Sequence, residues 1–161
     1  MAQIVIRVIN SRGFIGRAIN WITNSLWDHA EIMTPEGNWI GAHSSGGVQE
    51  RSPNYVIPTR EGRYAIPCTD RQLALIMSYA RNRIGEKYNF TDIVGLLLRK
   101  RNLNSPHKTI CSQFVINCLW RAGIFLLNVD PAYDYLVTPE MVHLSPLLIG
   151  RRIAPLPEPE K

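Results

Sequence analysis

Apolar and polar positions change period several times along this chain. "QIVIRVI" near the start alternates with β-branched residues, which predicts a strand. "GRAINWITNSLW" then switches to helical spacing at Ala18, Ile19, Ile22 and Leu26. "HAEIM", "PEGN" and "WIGAH" read as strand, turn and returning strand, with Gly37 and Asn38 in the turn. "SSGGV" reads as a loop and "NYVIPTREGRYAIPC" as an extended, Pro-punctuated segment. "TDRQ" is a capping box, with Thr69 as N-cap and Gln72 at the third helical position. It opens a helix to about Ile84 that would bury Leu73, Ile76, Ala80 and Ile84 before Gly85 ends it. A further helix is predicted over "FTDIVGLLLRK", and another from Cys111 to Ala122 with Gly123 beyond its end. Thr138 and Pro139 start a short helix, and "GRRIAP" reads as a last strand.

Strands and helices come in blocks rather than in βαβ alternation. The expected class is therefore α+β, with an antiparallel sheet packed against helices. No linker or repeat divides the chain, so residues 1–154 are expected to form one domain and 155–161 a mobile tail.

Composition narrows the options. The chain has 161 residues and a net charge of +5, concentrated in part at Arg99–Arg101 and at Arg151 with Arg152. No zinc-finger or RNA-binding motif accompanies that charge, so no nucleic-acid partner is expected. No apolar run is long enough to span a bilayer. "MAQIVIRVIN" lacks the basic and apolar regions of a signal peptide, so synthesis in the cytoplasm is expected. Three cysteines without close pairing argue against a disulfide framework.

One cysteine stands apart. Cys111 falls at the first turn of an apolar helix, where unpaired N–H groups stabilise a thiolate and could receive an oxyanion. Cys118 lies in mid-helix and Cys68 between Pro67 and Thr69, and both read as packing residues. A nucleophile needs a base. His107 is too close along the chain to be positioned freely, and His143 falls in the short helix. His29 and His43 lie on neighbouring strands, where a tight turn brings them together.

"LWDHAEIMTPEGNWIGAHSSGGV", followed by "GEKYNFTDIVG" and "ICSQFV", resembles the circularly permuted NlpC/P60 proteins, the permuted papain-like amidases of the YiiX type. In that branch the histidine precedes the cysteine, as here. The resemblance runs from about Ile4 to the helix at Thr138. It implies a permuted papain-like NlpC/P60 fold, no metal or other cofactor, and a thiol hydrolase (amidase or peptidase) acting through a thioester. Cys111 would be the nucleophile, His29 the base and Tyr88 a residue shaping the substrate site. The backbone N–H of Cys111 or Ser112 would meet the oxyanion. The implied substrate is an amide, typically in cell-wall peptides, although the broad group also includes enzymes acting on acyl lipids. Reaching a cell wall without a leader would call for lysis, phage delivery or a dedicated secretion system.

The third group is a departure. The family often carries a polar residue just before an alanine in the strand after the histidine, and here Gly41 stands before Ala42. His43 lies two residues past Gly41 and shares its face, so it is the expected orienter of His29. Glu31, on the face of His29, is the reserve, and Asp28 faces away. On that reading His43→Ala would cost about tenfold or more in turnover and Glu31→Gln less.

Three alternatives share part of this pattern. "HAE" with a later "PC" fits the first parts of the zinc deaminase signature, but Arg71 stands where its second cysteine belongs. A lipid acyltransferase or thioesterase of the lecithin:retinol acyltransferase type shares the order of residues, but "ICSQFV" lacks that family's cysteine context. The third is an inactive binding module with the same fold, against which the presence of both Cys111 and His29 counts.

Overall fold

The computed structural model describes residues 2–11, 25–89 and 108–154. The expected helices over "GRAINWITNSLW" and "FTDIVGLLLRK", His107 and the 155–161 tail lie wholly or largely outside them.

The architecture is α+β, as expected, around a six-stranded antiparallel sheet. Its strands are β1 (Ala2–Asn10), β2 (His29–Met33), β3 (Trp39–His43), β4 (Gly47–Arg51), β5 (Arg60–Cys68) and β8 (Arg152–Ile153). They lie in the order β4-β3-β2-β1-β5-β8. β1 is central and pairs along its length with β5, from Ala2 opposite Cys68 to Asn10 opposite Arg60. "SSGGV" is not wholly a loop: Gly47 and Val48 begin β4, paired with His43 and Ala42. "NYVIPTREGRYAIPC" becomes regular only from Arg60.

Two helices cover one face. α1 (Asp70–Asn82) starts with the expected capping box, Thr69 and Gln72 exchanging bonds. It buries Ile76, Met77 and Ala80, whereas Leu73 is only partly covered and Ile84 falls past the helix end, exposed. α2 (Cys111–Trp120) is mostly apolar and is buried from Cys111 to Ile116. It packs on β2, β3 and α1. Gly123 adopts a left-handed φ of 70° beyond its end, and the Ile124 N–H bonds back to Leu119 O. A 3-10 helix over Pro131–Leu136 and the short α3 (Pro139–His143), capped by Thr138, follow.

The period-two pattern divides the sheet. Ile4, Ile6 and Val8 of β1, Ala30 and Ile32 of β2, and Ile40 and Ala42 of β3 join the helices in the apolar core. The alternate positions carry Arg7, Glu31, Trp39, Gly41, His43 and Arg63. That second face is also buried: Arg7 is 1% exposed and Glu31 is fully covered. Charged groups held that deep must be paired.

Candidate functional site

β1, β2 and β3 build the polar cluster by register. Arg7 sits opposite Glu31 and Ile9 opposite His29. On the other side, Ile32 faces Ile40 and Met33 faces Trp39. That register, carried along the strands, sets Glu31 against Gly41 and His29 against His43. The imidazole centroids are 4.7 Å apart.

The Glu31 carboxylate is the centre of the cluster. Its Oε2 accepts from Arg7 Nε at 2.6 Å, and its Oε1 accepts from the Tyr55 hydroxyl at 2.6 Å. His29 Nε2 lies 3.2 Å from Oε1, and His43 Nε2 lies 3.4 Å from the same oxygen. Arg7 in turn stacks over Trp39, 4.1 Å from the ring centroid. Gly41 explains how a glutamate fits here. A Cβ at position 41 would come within 2.8 Å of Glu31 Cγ. The absent side chain at Gly41 is thus the room that the Glu31 stem uses.

This arrangement reorders the sequence expectation. His43 does lie beside His29, but both Nε2 atoms address one carboxylate oxygen, so the group facing the His29 nitrogen is Glu31. The reserve residue, Glu31, is thus the group nearest the His29 nitrogen, and His43 lies on the same carboxylate oxygen. Asp28 is turned away, as expected: its carboxylate accepts from Ser11 N at 2.9 Å and from Ser11 Oγ at 3.1 Å. Sequence reasoning missed Arg7 and Tyr55. Arg7 had a signal, as the charged residue inside the β-branched run "QIVIRVI". Tyr55 lies in an irregular segment and had none.

Charge follows from these contacts. Burial pulls the His29 pKa down, but the Glu31 carboxylate, helped by the Cys111 thiol, overrides it and raises the value to about 10. Burial pushes Glu31 up, yet His29, Arg7 and Tyr55 bring it down to about 2. Burial and the charge on His29 lower His43 to about 3. The two imidazoles therefore differ: His29 carries the positive charge and His43 is neutral. Burial and the adjacent carboxylate raise the Tyr55 phenol, which stays protonated and donating.

A pH dependence of stability follows. His43, depressed from 6.5 to about 3, costs stability as pH falls through that window, because the unfolded chain takes up the proton first. Glu31 adds to the loss as pH falls from 4.5 toward 2. His29 contributes stability fully below 6.5 and loses it as pH rises toward 10. The melting temperature, measured with a metal chelator present, should peak near pH 6.5. His43→Gln should flatten the acid side only.

Cys111 opens α2 beside this cluster. Its thiol is within hydrogen-bonding reach of His29 and of the Tyr88 phenol. Sγ also lies 3.9 Å from the Asp28 carbonyl oxygen. With His29 Nε2 at Glu31, Nδ1 is the nitrogen left for the thiol. Gln113 Oε1 reaches back to the Ile110 N–H at 3.4 Å, but Ile110 itself offers no acceptor to the first-turn N–H groups, and no acidic residue occupies that turn. The first-turn amides thus meet no charged group, in contrast to α1, whose Thr69 hydroxyl and Asp70 address its amides. The Ser112 hydroxyl is spent on Val137 O, so Ser112 has only its N–H to offer a ligand. Gln113 and Asn117 donate to the two oxygens of Asp134, each at 2.9 Å, and tie α2 to the 3-10 helix.

Tyr88 arrives through a second small sheet. β6 (Lys87–Tyr88) pairs in parallel with β7 (Lys108–Thr109), two residues before Cys111. Gly47 lets this segment close on β4: its φ is 74°, and a Cβ there would stand 1.9 Å from Glu86 O. Val48 N bonds the same carbonyl at 2.8 Å. Gly47→Ala meets both a left-handed backbone and a backbone clash. It should destabilise the protein by about 2 kcal/mol or more, read by thermal melting.

The other candidates lie elsewhere. Cys118 is fully buried, with its thiol pKa raised by burial. Cys68 pairs with Ala2 and His29 with Ile9, so they stand at opposite ends of β1 and the deaminase arrangement does not form. His143 Nδ1 lies 2.6 Å from the Tyr64 hydroxyl and its ring packs against Trp27, a structural position.

Among the described residues no helix is long and apolar enough to cross a membrane. No known protein-family description matches the chain. No curated protein matches it either. Among solved structures it is similar to the crystal structure of metalloprotein YiiX from Escherichia coli O157:H7, at 14% identity and a TM-score of 0.64, over 94% of this chain and 96% of that one. At that identity the likeness is one of fold.

Proposed function

We propose that this chain is a thiol hydrolase of permuted papain-like layout, with Cys111 as nucleophile, His29 as base and Glu31 as the carboxylate that orients it. One observation carries the reading: a cysteine at a helix start without acidic residues meets an imidazole whose other nitrogen is 3.2 Å from a buried carboxylate. On this reading the base lies between nucleophile and orienter.

The steps follow from those groups. The thiol proton rests on His29, whose imidazolium faces the sulfur, and Sγ attacks the acyl carbon of an amide. The N–H groups of Cys111 and Ser112 meet the developing oxyanion, and Tyr88 is near enough to donate. The imidazolium gives its proton to the leaving amine, and a thioester remains. Water, deprotonated by His29, attacks the thioester; the acid leaves and the thiol is restored. Glu31 stabilises the imidazolium in both halves and stays ionised.

Amide bonds of cell-wall peptides are the substrate class that the family resemblance favours, with acyl lipids second. The YiiX structure is described as that of a metalloprotein. Carried to this chain, that description meets a suitable donor set in His29, Glu31 and His43, which could hold a divalent cation; the thiol route does not require one. A turnover screen over peptidoglycan fragments and acyl lipids tests the reading. Release of a new amine or acid that stops in Cys111→Ala supports it. Turnover that survives Cys111→Ala contradicts it.

A further inference from the structure

We propose that His29, Glu31 and His43 form a binding site for a divalent transition cation of the zinc class, and that filling this site switches the thiol chemistry off. The switching half rests on the thiol-hydrolase reading; the site itself does not.

The donor atoms are His29 Nε2, Glu31 Oε1 and His43 Nε2, all within 4.8 Å of one another. The separations from Oε1 are 3.2 Å and 3.4 Å. Two ligands of a tetrahedral zinc ion, bonded at about 2.0–2.1 Å, stand roughly 3.3 Å apart. The two nitrogen-to-oxygen separations therefore already match edges of such a polyhedron, and the third, between the nitrogens, is within 4.8 Å. Two imidazoles and a carboxylate suit zinc and its neighbours rather than magnesium or calcium. Three protein ligands leave a fourth position for water.

Hydrogen bonding does not account for the cluster as well. Both Nε2 atoms are sealed from solvent, and neither finds a hydrogen-bond acceptor in line. His43 is only 7% exposed. A buried nitrogen without a partner costs about 1–3 kcal/mol. Oε1 already accepts from Tyr55 and would have to serve two imidazoles as well. One cation placed among the three atoms satisfies both nitrogens at once. The outer contacts are those of a metal site: Arg7 and Tyr55 fix the carboxylate. Arg7 brings a positive charge, but Glu31 Oε2 and Glu61, at 2.6 Å and 3.4 Å, neutralise it.

Occupancy and catalysis then exclude each other. A cation takes the Nε2 lone pair, and any proton on Nε2 leaves to solvent. The ring keeps its remaining proton on Nδ1, the nitrogen that must receive the thiol proton.

The test uses the full chain without an affinity tag, stripped by a chelator. It is titrated with Zn²⁺ by calorimetry and with Co²⁺ by visible absorption. The expected result is one ion per chain, tetrahedral cobalt bands and no thiolate-to-cobalt charge-transfer band. Binding should persist in Cys111→Ser and weaken at least about tenfold in His43→Gln, a loss large against ordinary outer-contact effects. Zn²⁺ should also slow alkylation of Cys111 by about tenfold or more, reversed by chelator. Absence of binding, a thiolate band, or binding lost in Cys111→Ser would overturn the site. Those readings do not depend on whether His43→Gln folds. A bound ion that leaves alkylation unchanged would overturn the switch. A thiol that is inert even without metal would instead count against the hydrolase reading.

Discussion

Glu31→Gln should be among the most damaging single substitutions in this protein, in stability and in rate together. The carboxylate is fully buried and holds Arg7, Tyr55, His29 and His43. Removing its charge leaves the Arg7 guanidinium, 1% exposed, with only the longer contact to Glu61. Breaking one side of a buried pair costs about 3–5 kcal/mol. For a chain of this size that lowers the melting temperature on the order of 10 °C. The charge that keeps the His29 imidazolium also disappears, so the His29 pKa should fall toward its ordinary range and the alkaline slope of stability should flatten. Turnover should drop by about a hundredfold or more. His43→Ala should cost less, about tenfold, because His43 acts on the carboxylate and not on the His29 nitrogen. If His43→Ala abolishes activity and Glu31→Gln is nearly silent, the ranking taken from the register is wrong.

The second large effect concerns the nucleophile and its base. Cys111→Ala should remove turnover outright, and His29→Ala should lower kcat by about 10²–10⁴. Neither should cost much stability beyond its own contacts. Cys111 is buried, but it lies outside the apolar core cluster. A His29→Ala variant that folds and retains most of its turnover would remove the base from the mechanism.

Much of the layout was legible in the residues. β1, β2, β3, the Thr69 box and the Thr138–Pro139 start all carry local signals, and those signals agree with the tertiary fold. The sheet edge was harder. Gly46 and Gly47 look like loop residues, yet Gly47 pairs in β4 because a close backbone contact with Glu86 requires a glycine there. Ile84 fits the helical spacing of α1 but falls beyond its end at Asn82. In the candidate site, Cys111 and His29 stood out in the sequence by their contexts and order. Which group faces the His29 nitrogen did not. Glu31 and His43 both share a face with His29, and period two cannot rank them. Strand register ranks them, together with the space at Gly41, and neither is a local property. Arg7 could have been found, because a lone charge in a buried β-branched run needs a buried partner, and Glu31 offers one. Tyr55 reaches Glu31 from an irregular segment that no periodicity describes.

The central claim is that His29, held by Glu31, activates Cys111. The rate of alkylation at each cysteine measures this most directly, by mass spectrometry of native, metal-free protein treated with iodoacetamide near neutral pH. Cys111 should carry the label well before Cys68 and Cys118, whose thiols burial pushes to higher pKa. His29→Ala should slow the Cys111 rate by about tenfold or more, and Glu31→Gln should slow it in the same direction. Labelling that favours Cys68 or Cys118, or a Cys111 rate that ignores both substitutions, would contradict the account.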